Sequence, residues 1–151
     1  MTAKIQANNS KKKSLYNQDY YLWLVQTTNL LEQQKFTNLD LENLIEEIES
    51  LGKSEKRALK SYTRRLIQHI LKLKYWESEK ERNRSHWQIE VINFRRDLKD
   101  ILEDSPSLKN YLSENYSDWY QKTVVEMRLQ FDIPPNNFVE LETIFKDDYF
   151  G

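Results

Sequence analysis

The 151 residues predict an all-α fold: an antiparallel bundle of four main helices with a short C-terminal helix. Three observations carry that prediction. Glycine occurs twice and proline three times, too rarely to punctuate the many turns of a sheet. Apolar residues recur at three- and four-residue spacing through four long segments. Residues that favour helix caps stand at the starts of several of those segments.

Met1 to Lys13 is polar, contains Lys11-Lys12-Lys13 and lacks the apolar core of a signal peptide. It is expected as a disordered basic lead-in (1–13) to a single helical domain (14–151). The first helix is expected from Asn17 to Gln34, with Tyr20, Trp23, Leu24, Thr27 and Leu31 on one face. Thr37 and Asp40 have the spacing of a capping box, and Phe36 and Leu41 that of a hydrophobic staple. The second helix therefore opens there, with Leu41, Leu44, Ile45, Ile48 and Leu51 as its stripe. Gly52 interrupts the pattern and is placed to end or bend that helix, because glycine costs a helix interior about 1 kcal/mol relative to alanine, so one long helix or two nearly collinear ones are expected. Helical spacing resumes with Leu59, Tyr62, Leu66, His69, Ile70 and Leu73, ending near Tyr75-Trp76.

Glu77 to Arg84 reads as a charged connection, and Ser85 with Gln88 as the capping box of a third helix. Trp87, Val91, Phe94, Leu98 and Ile101 mark its apolar face. Ser105-Pro106 closes that helix and opens the fourth, proline being tolerated in a first turn. Leu108, Leu112, Tyr116, Trp119, Thr123 and Met127 give the fourth face, and Pro134-Pro135 stops it near Phe131. Asn137 and Glu140 are placed to cap a short last helix bearing Phe138, Leu141, Ile144 and Phe145. The chain shows no internal repeat.

Composition narrows the function classes. Twenty-three basic residues against 24 acidic ones leave a formal net charge of −1, which gives no global steering toward nucleic acid or an anionic membrane. The absence of cysteine excludes disulfides, thiol catalysis and thiolate metal sites, and suits a cytoplasmic protein. No apolar run approaches the roughly 20 residues that span a bilayer. No glycine-rich phosphate loop or nucleophile elbow is present.

Several blocks carry a family resemblance: Asp19-Tyr20-Tyr21-Leu22-Trp23, the stretch Leu39 to Gly52, and His69-Ile70-Leu71-Lys72 with Trp76. Trp87, Arg95-Arg96, Ser105-Pro106-Ser107-Leu108 and Asp148-Tyr149-Phe150 continue it. Together they resemble the bacterial family called domain of unknown function 29, over nearly the whole chain beyond the first dozen residues. The resemblance implies a small, stand-alone, mostly helical protein. It carries no substrate, cofactor or catalytic residue onto these positions.

The second helix holds the candidate functional residues. Between Thr37 and Ser50 stand five acids (Asp40, Glu42, Glu46, Glu47, Glu49) and no base. Between Lys53 and Lys74 stand eight bases (Lys53, Lys56, Arg57, Lys60, Arg64, Arg65, Lys72, Lys74) and one acid, Glu55. A helix macrodipole favours this polarity near the ends, but not in the middle of the run. The favoured reading is a protein-interaction or self-association module, a homodimer included. In it Lys56, Arg57, Lys60, Arg64, Arg65 and Trp76 form a binding surface, and Glu42, Glu46 and Glu49 an acidic patch.

The alternative, which ranks behind it, is an RNA-binding or RNA-cleaving domain using Arg64, Arg65 and His69. Arg64, four intervening residues and His69 have the arrangement of HEPN-type ribonucleases, where histidine moves the proton and arginine stabilises the phosphorane. His69 and Arg64 are the only catalytic candidates, and packing within the helix stripe is the commoner fate of such a histidine. No cofactor is implied, and with two histidines no metal site is expected. Glu46, Glu47 and Glu49 are expected to face solvent or to pair with Arg95 and Arg96. The four tryptophans are expected as core or core-edge anchors, Trp76 being the one placed to stack on a partner if exposed.

Overall fold

A computed structural model describes residues 14–151; the polar lead-in, 1–13, lies outside the described residues. The fold of the described residues is all-α, with four long helices and a short C-terminal one, as the sequence predicts, preceded by one further short helix. In order these are α1 (Leu15–Gln18), α2 (Tyr20–Glu32), α3 (Leu41–Tyr75), α4 (Glu77–Asp104), α5 (Leu108–Met127) and α6 (Leu141–Ile144). The chain divides into two compact units after Leu51, and α3 contributes residues to both.

In the N-terminal unit, the expected single first helix is two pieces. Asp19, at φ −147°, interrupts it and caps α2, its carboxylate accepting from the Leu22 amide at 2.9 Å. Trp23 is the buried centre. Its ring meets Tyr16 edge-on at 4.7 Å and lies nearly parallel to Tyr20 at 6.2 Å. Its indole N–H donates to Asp40 at 3.3 Å. The expected Thr37 cap does not form. Thr37 lies in a 3-10 turn, Phe36–Asn38, and its hydroxyl bonds the Asn38 side chain at 3.2 Å. Asp40 opens α3 instead, accepting from the Asn43 side-chain amide at 2.7 Å while its backbone carbonyl takes the Leu44 amide at 3.0 Å. Helix α3 then runs through Gly52 unbroken.

The C-terminal unit buries the main core. Leu59, Leu66, Ile67, Ile70 and Leu71 of α3 pack with Trp87, Val91, Phe94 and Leu98 of α4 and with Leu112, Tyr116, Trp119 and Tyr120 of α5. The expected connection at Glu77 to Arg84 is helix, separated from α3 only by Trp76. Glutamate, lysine and arginine are good helix formers, and two i,i+3 pairs, Glu77–Lys80 and Glu79–Arg82, brace the first turns of α4. Ser85 and Gln88 consequently lie inside α4, not at its cap. Helix α5 starts at Leu108, whose amide bonds the Ser105 carbonyl at 3.0 Å, and it ends at Met127, earlier than Phe131. Asn137 does not cap α6; its side chain turns back to the Pro134 carbonyl at 2.6 Å. Buried Tyr116 and Tyr120 tie this segment to α5 by donating to the Val139 and Asn137 carbonyls, both at 2.7 Å. Burial pushes both phenols far above their ordinary pKa.

Candidate interaction surface

Helix α3 carries apolar stripes at Leu41–Leu51 and from Leu59 onward, and the two meet different fates. Leu59 and Leu66 are 0% exposed, whereas Leu41 (59%), Ile45 (49%), Ile48 (60%) and Leu51 (61%) stand open. The spacing of the open four, three or four residues at each step, keeps them close to one side of the helix. Isolated apolar residues on a surface are ordinary, but a contiguous row of four aliphatic side chains is not.

What sits on the opposite flank explains why this half of α3 is helical without a deep core. Glu47 accepts hydrogen bonds from Tyr16 at 3.0 Å and from Tyr20 at very short range. Those bonds, first among the causes, raise both phenol pKa values, because the carboxylate holds the hydroxyl protons. Tyr20, Trp23, Asp40 and Glu47, which lie in the blocks carrying the family resemblance, thus build one hydrogen-bonded aromatic cluster with Tyr16.

The acidic patch residues Glu42, Glu46 and Glu49 are exposed beside the open stripe. Of the basic residues, Lys56, Arg57, Lys60, Arg64 and Arg65 are also exposed. Lys56 places its ammonium 4.8 Å from the centre of the Tyr111 ring. Lys60 and Arg64 line a small cleft with Trp119, Lys122, Thr123 and Glu126. Arg65 lies 5.8 Å from the Phe94 ring centre.

His69 is half-buried. Its Nδ1 is 2.8 Å from the Arg65 carbonyl one turn earlier, a bond in which the ring nitrogen donates, and the ring packs 5.5 Å from that of Phe94. Burial is the largest cause lowering its pKa, with Lys72 and His86 lowering it further and the Arg65 carbonyl and Glu90 opposing. Arg64 and His69 are five positions apart, so the two point about 140° apart around the helix. Arg64 turns toward Trp119 of α5 and His69 toward Phe94 of α4.

Trp76 lies at the α3–α4 junction with its ring nearly parallel to those of Trp87, at 5.7 Å, and Phe131, at 4.9 Å. Lys72 sits over Trp87 at 5.7 Å. Arg95 donates to backbone carbonyls of the C-terminal segment, and Arg96 to the Asn93 side chain. Among the described residues no group of three or more histidine, aspartate or glutamate side chains is placed to hold a metal ion. No described helix is long and apolar enough to cross a membrane.

These features define an all-helical fold, among the described residues, whose most distinctive surface is an uncovered helix face in the N-terminal unit. The family described as domain of unknown function DUF29 matches residues 15–150, and the chain belongs to it. No curated protein and no solved structure matches the chain.

Proposed function

We propose that this chain is a protein-interaction module that works through α3, by self-association or by capture of a protein partner. The open row Leu41, Ile45, Ile48 and Leu51 carries the reading. An amphipathic helix that leaves its apolar row in water gains when another surface covers it, on the order of 1 kcal/mol for each half-exposed aliphatic side chain. The charged residues flanking the row supply orientation and partner choice more than affinity. The Nδ1–carbonyl bond and the Phe94 contact favour a packing role for His69 in this reading.

A photo-cross-linking side chain placed in turn at positions 41, 45 and 48 of the full chain, in its host cells, tests the proposal. Protein adducts are expected from these positions and not from Asp104, an exposed control on α4. Adducts from position 41 should disappear when Ile45→Glu and Ile48→Glu are added. No protein adduct from any of the three positions overturns the reading.

A further inference from the structure

The basic part of α3 holds a row that the interaction reading leaves unused. Lys53, Arg57, Lys60 and Arg64 follow one another at four-, three- and four-residue steps, so they share one side of the helix over about 16 Å. All four are exposed and belong to the C-terminal unit. Lys122 of α5, in the same unit, lines a cleft together with Lys60, Arg64, Trp119, Thr123 and Glu126.

Among the described residues none of the four row cations forms an ion pair. Glu126 accepts instead from the Gln68 side-chain amide at 3.4 Å. Lys122 pairs with Asp118 at 2.8 Å, but both side chains are exposed, so the pair exchanges readily for another anion. Like charges at these steps repel one another and weaken the helix. The macrodipole does not offset that, since Arg64 lies about three turns before the end of α3 at Tyr75.

The chemistry around the row selects among anionic partners. A protein partner is anchored by apolar or aromatic side chains, and an anionic membrane by apolar side chains that enter it. None of the exposed large apolar side chains of α3 lies beyond Leu51, and Trp119 is buried. A surface of charge alone suits a polyelectrolyte, whose binding is driven by release of its condensed counterions. We infer that Lys53, Arg57, Lys60 and Arg64, joined by Lys122, seat the phosphodiester backbone of a nucleic acid strand, RNA or DNA. The row itself carries no aromatic side chain to stack on a base, so base sequence and sugar matter little. With a net charge of −1 the chain exerts no long-range pull, and binding depends on these few cations. The inference uses none of the open row Leu41, Ile45, Ile48 and Leu51, and it does not rest on the protein-interaction reading.

Fluorescence anisotropy of labelled oligo(U) and oligo(dT) with the full chain tests it. Both strands should bind at low salt with affinities within a few-fold of each other. The logarithm of affinity should fall against that of salt concentration with a slope of about −3, as four or five neutralised phosphates on a single strand require. The variant R57Q/K60Q/R64Q should weaken binding by about tenfold or more and flatten the slope by about 2. The variant R82Q/R84Q/K146Q removes three exposed cations elsewhere in the same unit and should change neither. Circular dichroism checks that each variant folds.

Because the chain has no cysteine, a photoreactive group on Lys60→Cys reports position without background. It should capture the labelled strand, and the same group on Arg82→Cys should not. Absence of binding to either strand at low salt overturns the inference, as does R57Q/K60Q/R64Q binding like the wild type. Equal capture of poly-glutamate, or of phosphatidylserine vesicles, through the same residues would assign the row to an acidic protein or a membrane and overturns the nucleic acid as ligand. A preference beyond about tenfold for one sugar overturns recognition through phosphate alone.

Discussion

Arg95 holds Tyr149 by its backbone: Nη2 donates to the Tyr149 carbonyl at 2.6 Å. The same guanidinium gives Nε to the Ile144 carbonyl at 2.9 Å and Nη1 to the Asp147 carbonyl at 3.2 Å, and its centre lies 5.7 Å from the Phe150 ring. Arg95 is only 2% exposed. Burial lowers its pKa while Asp147 and Asp148 raise it, and the three carbonyl dipoles replace the water the cation has lost. Only the planar fork of arginine serves three acceptors spread over six residues of chain.

Arg95→Ala should therefore destabilise the C-terminal unit by about 3 kcal/mol, since it removes charge-assisted bonds and leaves buried carbonyls unpaired. Arg95→Lys should fall between the two, keeping the charge but not the fork. Urea unfolding measures the loss, and amide exchange should rise first across residues 144–150. A change of less than about 0.5 kcal/mol for Arg95→Ala would show that the clamp is decorative.

Glu47 plays the corresponding part in the N-terminal unit, where one carboxylate serves two tyrosines. Glu47→Ala should speed amide exchange throughout α1 and α2 while leaving α5 unchanged. Glu47→Gln should move the ultraviolet titration of Tyr16 and Tyr20 down toward the ordinary phenol value, because the neutral amide no longer holds the protons. Unchanged titration would place those hydroxyls elsewhere in solution.

The helices were legible because burial leaves a period in the sequence: Trp87, Val91, Phe94 and Leu98 read as one face and are one buried face. The same period at Leu41, Ile45 and Ile48 reads identically, yet that face is open. Periodicity states which side of a helix is apolar and not whether anything covers it. Charge misled in the other direction at Glu77 to Arg84, where residues that look like a solvated link are strong helix formers. Arg95 was invisible as a clamp, because its acceptors lie 49, 52 and 54 residues away, beyond any local spacing rule. The acidic and basic residues of α3 were legible as candidates, but the open row beside them needed coordinates.

Two residues occupy each other's preferred conformations. Gln34 follows α2 at φ 58°, the left-handed position glycine usually fills, with its amide bonded to the Leu31 carbonyl and the Lys35 amide to the Leu30 carbonyl. Gly52 sits inside α3, where alanine is better. Gln34→Gly and Gly52→Ala should each stabilise the protein by about 0.5–1 kcal/mol, read from denaturant midpoints. Gly52→Ala has open space for its methyl group, so a destabilised variant would mean that the helix departs from regular geometry there.

His69 predicts a particular pH dependence. Its pKa is lowered from 6.5, chiefly by burial, with Lys72 and His86 adding to the shift and the Arg65 carbonyl and Glu90 opposing it. The folded state therefore prefers the neutral ring. Between the ordinary value and the lowered one, the unfolded chain binds the proton more readily, so stability falls as pH drops through that window and levels off below the lowered value. At pH 7 and above His69 contributes no slope. His69→Gln, which cannot take up a proton, should remove this part of the acid destabilisation while changing the midpoint little at pH 7.5. Thermal unfolding of the two proteins from pH 7.5 to 5 gives the difference, and an NMR titration of the His69 ring gives its cause. A His69 ring that titrates at or above 6.5 would contradict the burial of the ring against Phe94.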